Sequence, residues 1–558
     1  MKKNILISAV LVAGSLSLAS CDDFLTTQNT TQGNDESFLD SDASVLATTS
    51  PLYNYVWNNF NDKAYYSMGD GRSNNLTARW SDYIFPYTNF TETALSPGLE
   101  DSWNALYSVV AQSNNVINRI QKYSSSAVSD AAKTQGIAEA RFMRGLAYWY
   151  IGSLWNKGII YTNTIEASGN TVTPAHRMTD VIEFAIRDME FAAANLSESQ
   201  ANPGRVTCYS AYGMLSRFYL SMAGLTTDGE YDGANIATDF DRGNRNTYYL
   251  DLAKKAALKC MEGPYSLLEN YGDLFAVKTW NNNNESVFQL QWLSGSTDAI
   301  GWGANNPISS YFSWSTMVGE TNWGNATYAS YDLVRTYDPQ DRIRRHYTIC
   351  TVGEVYPDLN TKNDGYIYNV TEADYEKKCN VKKHVIGKLD DNGQSYQQSS
   401  GVNTYMMRLA EVYLNYTEAA MGNSASTSDT EYFNRVRERA GMPRLGTVTY
   451  SDLIYERRIE FAFEGLFWYD LLRRSYYQQS EVVNYLNHQD RNASYEWDES
   501  EDCQYAKTAD ADDVSTATVA HLTLPISDVD RGRNPLLGKD PVVYEFGPRE
   551  INVNDLFK

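Results

Sequence analysis

The chain has 558 residues, with 69 acidic against 47 basic side chains and a formal net charge of −22. That balance excludes nucleic acid and anionic lipid as natural partners, since no basic cluster is present to overcome repulsion from phosphates. Aromatic residues make up 13% of the chain, with 42 Tyr and 12 Trp, so some of them are expected to face a ligand as well as to pack helices.

The first twenty residues predict an export signal. Lys2 and Lys3 give a positive start, Ile5 to Leu18 a short apolar stretch, and Leu18-Ala19-Ser20-Cys21 a lipoprotein-type cleavage site. The stretch is too short for a permanent span, and no later segment approaches about eighteen consecutive apolar residues. Cys21 is the expected lipidation site; each buried CH₂ of its acyl chains contributes about 0.8 kcal/mol of membrane affinity. Asp22 and Asp23 directly after it fit display at a cell surface. The other cysteines, Cys208, Cys260, Cys350, Cys379 and Cys503, are odd in number and scattered, which argues against a disulfide framework and a zinc site.

From Cys21 to about Thr49 the sequence is polar and reads as a tether. From Leu99 onward Trp103, Leu106, Tyr107, Val110, Asn114 and Ile117 recur at helical spacing, and Ala138 to Trp155 repeats the habit. Val181 to Asn195, Cys208 to Met222 with Thr207 as N-cap, Asp251 to Met261 and Thr404 to Met421 continue a series of paired helices. Small residues at expected crossings (Ala138, Ala140, Ala419, Ala420) suggest degenerate tetratricopeptide-like repeats without a clean period. One strand is expected, Ser286 to Trp292, followed by a Gly-, Asn-, Ser- and Trp-rich loop to about Met317.

Signs of catalysis are sparse. His176, His346, His384, His488 and His521 are isolated, and no nucleophile elbow, phosphate loop or dinucleotide fingerprint occurs. Glu456, Glu460 and Glu464 are spaced to share a helical face, with Arg457, Arg458, Arg473 and Arg474 nearby, which reads first as an ion-paired helix fastening two lobes. The alternative is a carboxylate pair of a hydrolase. Asp510, Asp512 and Asp513 resemble half a calcium loop but lack its glycine and closing glutamate. No metal site and no cofactor is expected.

The C-terminal third carries longer signatures. Tyr405-Met-Met-Arg-Leu-Ala-Glu-Val-Tyr-Leu-Asn-Tyr-Thr-Glu-Ala-Ala420, Phe433-Asn-Arg-Val-Arg-Glu-Arg-Ala-Gly-Met-Pro443 and Glu456-Arg-Arg-Ile-Glu-Phe-Ala-Phe-Glu-Gly-Leu-Phe-Trp-Tyr-Asp-Leu-Leu-Arg473 occur in order, then Leu522-Thr-Leu-Pro-Ile526 and Arg533-Asn-Pro-Leu-Leu537. With Cys21-Asp-Asp-Phe-Leu25, Trp103 to Asn115 and Gly136 to Tyr148, the chain resembles the SusD/RagB family over essentially its whole mature length.

That resemblance implies an all-α lipoprotein: four tetratricopeptide-like helix pairs as scaffold, plus a loop-rich ligand lobe with minor β-strand content. The divisions it suggests are a signal at 1–20, the lipidated Cys21 and tether at 21–49, an N-terminal part at 50–260 and a C-terminal part at 261–558, the last two intertwined as one unit. It implies a non-enzymatic lid, held to the outer membrane by its lipid, that captures a glycan for a TonB-dependent transporter of the SusC type. Peptide capture is the second reading within the family, and a lipid-anchored glycan hydrolase is a third.

A sugar needs flat apolar surface and hydrogen-bonding groups, and Trp and Tyr supply the surface with only two χ angles to freeze. Asp70 to Tyr83 and the loop carrying Trp302, Asn305, Asn306, Tyr311, Trp314, Trp323 and Tyr328 offer both, in regions that correspond to the family's glycan platform. Trp80, Trp302, Trp314 and Trp323 are the expected stacking residues, with Asp70, Arg72, Asn74 and Tyr83 for hydrogen bonds. Trp103, Trp149, Trp155 and Trp468 are assigned to the core.

Overall fold

The computed structural model describes residues 39–78, 83–162, 172–294, 305–319, 327–369, 378–387 and 400–558. The architecture is all-α with short two-stranded ribbons. Five long helices, Leu99–Tyr123, Asp130–Trp155, Met178–Asn195, Cys208–Leu225 and Thr247–Met261, each pack on the next in sequence. In the first, Trp103, Leu106, Val110 and Asn114 are buried as their spacing requires. Trp149, Trp155 and Trp468 are buried to within 2% and Trp103 to 6%, all in the core. Where the second and third helices cross, a Cβ on Gly145 would stand 2.9 Å from the Ala185 carbonyl oxygen, so only glycine permits that approach.

Thr207 caps the fourth helix as expected: its hydroxyl accepts from Ser210 N at 3.3 Å, and Thr207 N donates back to the Ser210 hydroxyl at 3.2 Å. The chain later returns to this stack. Leu409–Met421 packs against both Cys208–Leu225 and Thr247–Met261, then against Glu431–Arg439 and Tyr450–Glu460. Arg217 clamps the return with two bonds to Glu411, 2.7 and 2.6 Å.

Three expectations are corrected. Thr404 to Met421 is not one helix: Thr404–Arg408 is a strand, paired antiparallel with Ser286–Leu290, and the helix starts at Leu409. Its partner strand is remote in sequence, so helical periodicity could not disclose it. We call this pair the central ribbon. Second, the tether does not extend to Thr49. Asp42–Thr49 is a helix with Val45, Thr48 and Thr49 buried, packed on Asp130–Trp155 and held by Asp42, which accepts from Ser129 N and the Ser129 hydroxyl at 2.8 Å each. Third, Glu464 does not share a helix with Glu456 and Glu460, because the helix ends at Glu460 and the chain turns through left-handed Phe463 and Gly465.

The three carboxylates nevertheless converge. Glu456 meets Arg344 and Arg437; Glu460 meets Arg344, Arg408 and Arg439; Glu464 meets Arg408 and Lys383. Glu285, just before the ribbon, joins through Arg408 at 2.6 Å and Arg439 at 2.8 Å, and Asp341 joins through Arg344. Five carboxylates thus face five cations; nine of the ten residues are buried, and the side chain of the tenth, Arg439, is 4% exposed. Burial alone would raise the Glu460 carboxyl, but Arg439, Arg408, Arg344 and Lys383 outweigh it and hold it at about 2. The cations adjacent in sequence serve elsewhere: Arg457 pairs with Asp470, Arg458 with Asp332, Arg473 with Glu418 and Arg474 with Glu481.

Candidate ligand-binding rim

One edge of the molecule is built by residues 58–66, which run through a wide-pitch turn at Phe60–Ala64 and enter a second at Ser67–Gly71. Turns of this i→i+5 kind recur at functional sites because they re-aim side chains that an α-helix would stack in line. Here Asn61 points inward: its Nδ2 donates to Asn306 Oδ1 at 3.0 Å, and its Oδ1 accepts from the Thr404 hydroxyl at 2.7 Å. Asp62 and Lys63 stay partly exposed, at 18% and 20% of their side-chain surface. Their ion pair is 2.8 Å long, the Tyr311 hydroxyl donates to Asp62, and the Lys63 ammonium sits 4.2 Å from the centre of the Tyr83 ring. Tyr83 is 36% exposed, and Tyr66 lies 5.1 Å from the half-buried ring of Tyr311.

This edge gathers the chain ends of three segments. Ala78 lies directly across from Thr327 in the ribbon of Leu76–Ala78 with Thr327–Ala329, and the Thr327 hydroxyl donates to the Tyr311 carbonyl at 3.1 Å. Asn58 Nδ2 donates to the Asn305 carbonyl at 3.4 Å. Ala78, Tyr83, Asn305 and Thr327, which adjoin 79–82, 295–304 and 320–326, therefore meet around one wall. Trp80, Trp302 and Trp323 fall in those segments and lie outside the described residues, as does Cys21.

Four of the expected contact residues are scaffold. Asp70 is fully buried and accepts from Phe463 N at 2.9 Å, Gly465 N at 2.7 Å and Asn75 Nδ2 at 2.9 Å, which pins the turn holding Glu464. Burial pushes its carboxyl up to about 6 in spite of those donors. Arg72 is fully buried, its guanidinium 4.7 Å from the Trp468 ring centre and 5.4 Å from that of Phe90, and it bonds Glu92 and the His521 carbonyl. Asn74, left-handed at φ 63°, is buried, and its carbonyl accepts from Arg458 at 3.2 Å and from the Ser330 hydroxyl. Trp314 is 8% exposed, with its indole N–H on Asn380 Oδ1 at 2.7 Å and its ring 6.1 Å from that of Tyr328. A sugar cannot stack on a ring packed in this way. Of the expected set, Tyr83 stands on the rim.

Sequence reasoning passed over Asn58, Asn61, Asp62 and Lys63. The signal available was the run Asn58-Asn59-Phe60-Asn61-Asp62-Lys63, five polar residues around one Phe, ahead of any regular helical period.

A mostly helical stack with a loop-rich edge of aromatic, amide and charged groups defines the class, a helical scaffold protein with its variable surface at one rim. Models for two families match: "SusD family" over residues 284–542, and "Starch-binding associating with outer membrane" over residues 23–220. A SusD-like protein of Bacteroides ovatus is 34% identical over 566 aligned residues, covering 96% of this chain and 98% of that protein. A solved structure with a xylogluco-oligosaccharide is 34% identical, with a TM-score of 0.79, covering 90% of this chain and all of that one. A further solved structure aligns at 33% identity with a TM-score of 0.80, covering 92% of this chain and 100% of the other. The chain belongs to the SusD family.

Proposed function

We propose that this protein is a cell-surface glycan-binding lipoprotein, anchored to the outer membrane through Cys21, that captures an oligosaccharide or polysaccharide and serves as the lid of a SusC-like TonB-dependent transporter. The observation that carries the reading is the rim: the flanks of the three segments that bear Trp80, Trp302 and Trp323 converge on a wall presenting Tyr83, Lys63 and Asp62. Aromatic rings give flat faces for sugar C–H groups, and the adjoining ion pair and hydroxyl give hydrogen-bond partners for sugar hydroxyls without net charge. The relative solved with a xylogluco-oligosaccharide makes a neutral, branched β-glucan the first ligand class to test.

The chain acts by binding rather than by catalysis on this reading. The one carboxylate group that invited a hydrolase, Glu456, Glu460 and Glu464, is buried among five cations, and Glu460, held at about 2, cannot donate a proton at neutral pH. Affinity at an open rim is modest, because its hydrogen bonds replace ones already made to water, and avidity with the transporter compensates.

Affinity electrophoresis through xyloglucan and a panel of other polysaccharides tests the reading. The parent protein is expected to be retarded by one glycan class, and Trp80→Ala and Trp302→Ala to lose roughly tenfold or more in affinity with folding intact. Both variants migrating like the parent on that glycan would remove the rim as the site. Sugar released by the purified protein would overturn the binding-only role.

A further inference from the structure

On the other side of the central ribbon's end from the rim, Gln200, Asn202, Pro203, Tyr265, Asn282 and Asn284 line a second cavity, of about 320 Å³. One lining residue, Asn282, is fixed in advance. Asn282 and Gln291 exchange amide hydrogen bonds of 2.8 and 2.9 Å, and Asn403 Nδ2 donates to Gln291 Oε1 at 3.1 Å. Gly204, left-handed at φ +84°, closes on that pair so tightly that a Cβ there would lie 2.5 Å from the Gln291 amide carbon.

The chemistry of the lining is that of a neutral, hydroxyl-rich ligand. The bordering cation, Arg205, is committed to Glu139, to the Thr49 hydroxyl and to the Leu46 carbonyl at 2.7 Å each. What remains is a Tyr ring whose hydroxyl is tied to Thr207 and Ser210, a proline face, carboxamides, and the exposed carboxylate of Glu198, which accepts from sugar hydroxyls and repels an anionic ligand. Asn202 and Asn284 are exposed, and their side chains make no hydrogen bond to the described residues. Each offers two donors and an acceptor, which matches vicinal sugar hydroxyls better than it matches an ion.

The position matters as much as the lining. The segment Ser400–Thr404, which leads into the strand, is bracketed by the two places. On one flank Asn306 N donates to the Ser400 carbonyl at 2.8 Å, next to Asn305 at the rim. On the other, Asn281 Nδ2 donates to the Gly401 carbonyl at 2.7 Å, and Asn403 N donates to Asn281 Oδ1 at 2.8 Å, next to Asn282 and Asn284.

We propose that the cavity beside Asn202, Tyr265 and Asn284 is a second subsite for the same neutral glycan, filled by chains long enough to reach it from the rim. This rests on the glycan-binding reading above. It gives the protein a means of preferring polymer over fragment: a short oligosaccharide occupies the rim alone, and a long one gains the amide contacts as well.

Calorimetric titration of the parent protein and of the double variant Asn202→Ala/Asn284→Ala tests it, each with a short xylogluco-oligosaccharide and with long-chain xyloglucan. The parent is expected to bind the long ligand roughly tenfold more tightly per site than the short one, and the variant to bind the short ligand like the parent while losing that advantage. Both residues are exposed, so folding is not at issue. An unchanged long-to-short ratio in the variant, or no length preference in the parent, would overturn the subsite and leave the rim standing. Binding of neither ligand by the parent would instead overturn the xyloglucan reading and the subsite with it.

Discussion

The buried charge cluster and the rim use similar residue types to opposite ends. In the cluster, Glu285, Asp341, Glu456, Glu460 and Glu464 are matched one for one by Arg344, Arg408, Arg437, Arg439 and Lys383, out of water and drawn from segments far apart in the chain. At the rim, Asp62 and Lys63 form one pair that is still about a fifth exposed, with Tyr83 beneath the ammonium. A buried ion that loses its partner is strongly destabilised, so the cluster constrains its residues tightly. A pair that water still reaches contributes less to folding and is therefore more open to change with the ligand. The signatures that place the chain in its family lie in the first region, whereas the second is the proposed ligand site.

The largest expected effect falls on the cluster. Arg408→Ala leaves Glu285, Glu460 and Glu464 short of a shared cation, and denaturant unfolding should show a loss of about 3–5 kcal/mol. A loss below about 1 kcal/mol would mean that the cluster does not hold the ribbon to the C-terminal helices. A second way to sharpen the contrast is pH. Glu460 and Glu418 are held at about 2, below their ordinary 4.5, by neighbouring arginines that outweigh burial. A depressed carboxyl contributes stability that is present above its unfolded value and lost as pH falls through its folded one. The melting temperature should therefore drop steeply between pH 4.5 and about 2, and Glu418→Gln should flatten that drop. Asp70, raised to about 6 by burial, acts with the opposite sign: its contribution is present below 3.8 and is lost as pH rises through 6.

The scaffold was readable because its rules are local. Apolar residues three and four apart mark the Leu99–Tyr123 helix, and Thr207 marks a capped start. Where the deciding partner is remote, local pattern misled. Thr404–Arg408 continues into a helix and was read as one, because the strand that claims it begins at Ser286. Asp70, Arg72 and Asn74 sit in an aperiodic, polar stretch that looks solvent-facing, yet their partners are Phe463, Gly465, Trp468 and Arg458, nearly four hundred residues on. Trp314 shares a loop with tryptophans expected at the rim, but Asn380 takes its indole N–H and Tyr328 its ring. The wall of Asn58 to Lys63 was missed for the complementary reason: its side chains acquire meaning only beside Asn305, Asn306 and Tyr311.

A thermal melt with and without xylogluco-oligosaccharide, run on Trp314→Ala and Trp302→Ala side by side, tests the division of labour most directly. Trp314→Ala, which empties a packed position, should melt lower, in line with a core truncation of about 3 kcal/mol, and still be raised by the ligand. Trp302→Ala should melt like the parent and gain nothing from the ligand. If Trp314→Ala loses the ligand shift while Trp302→Ala retains it, binding resides on the packed side of the loop and the rim is not the site.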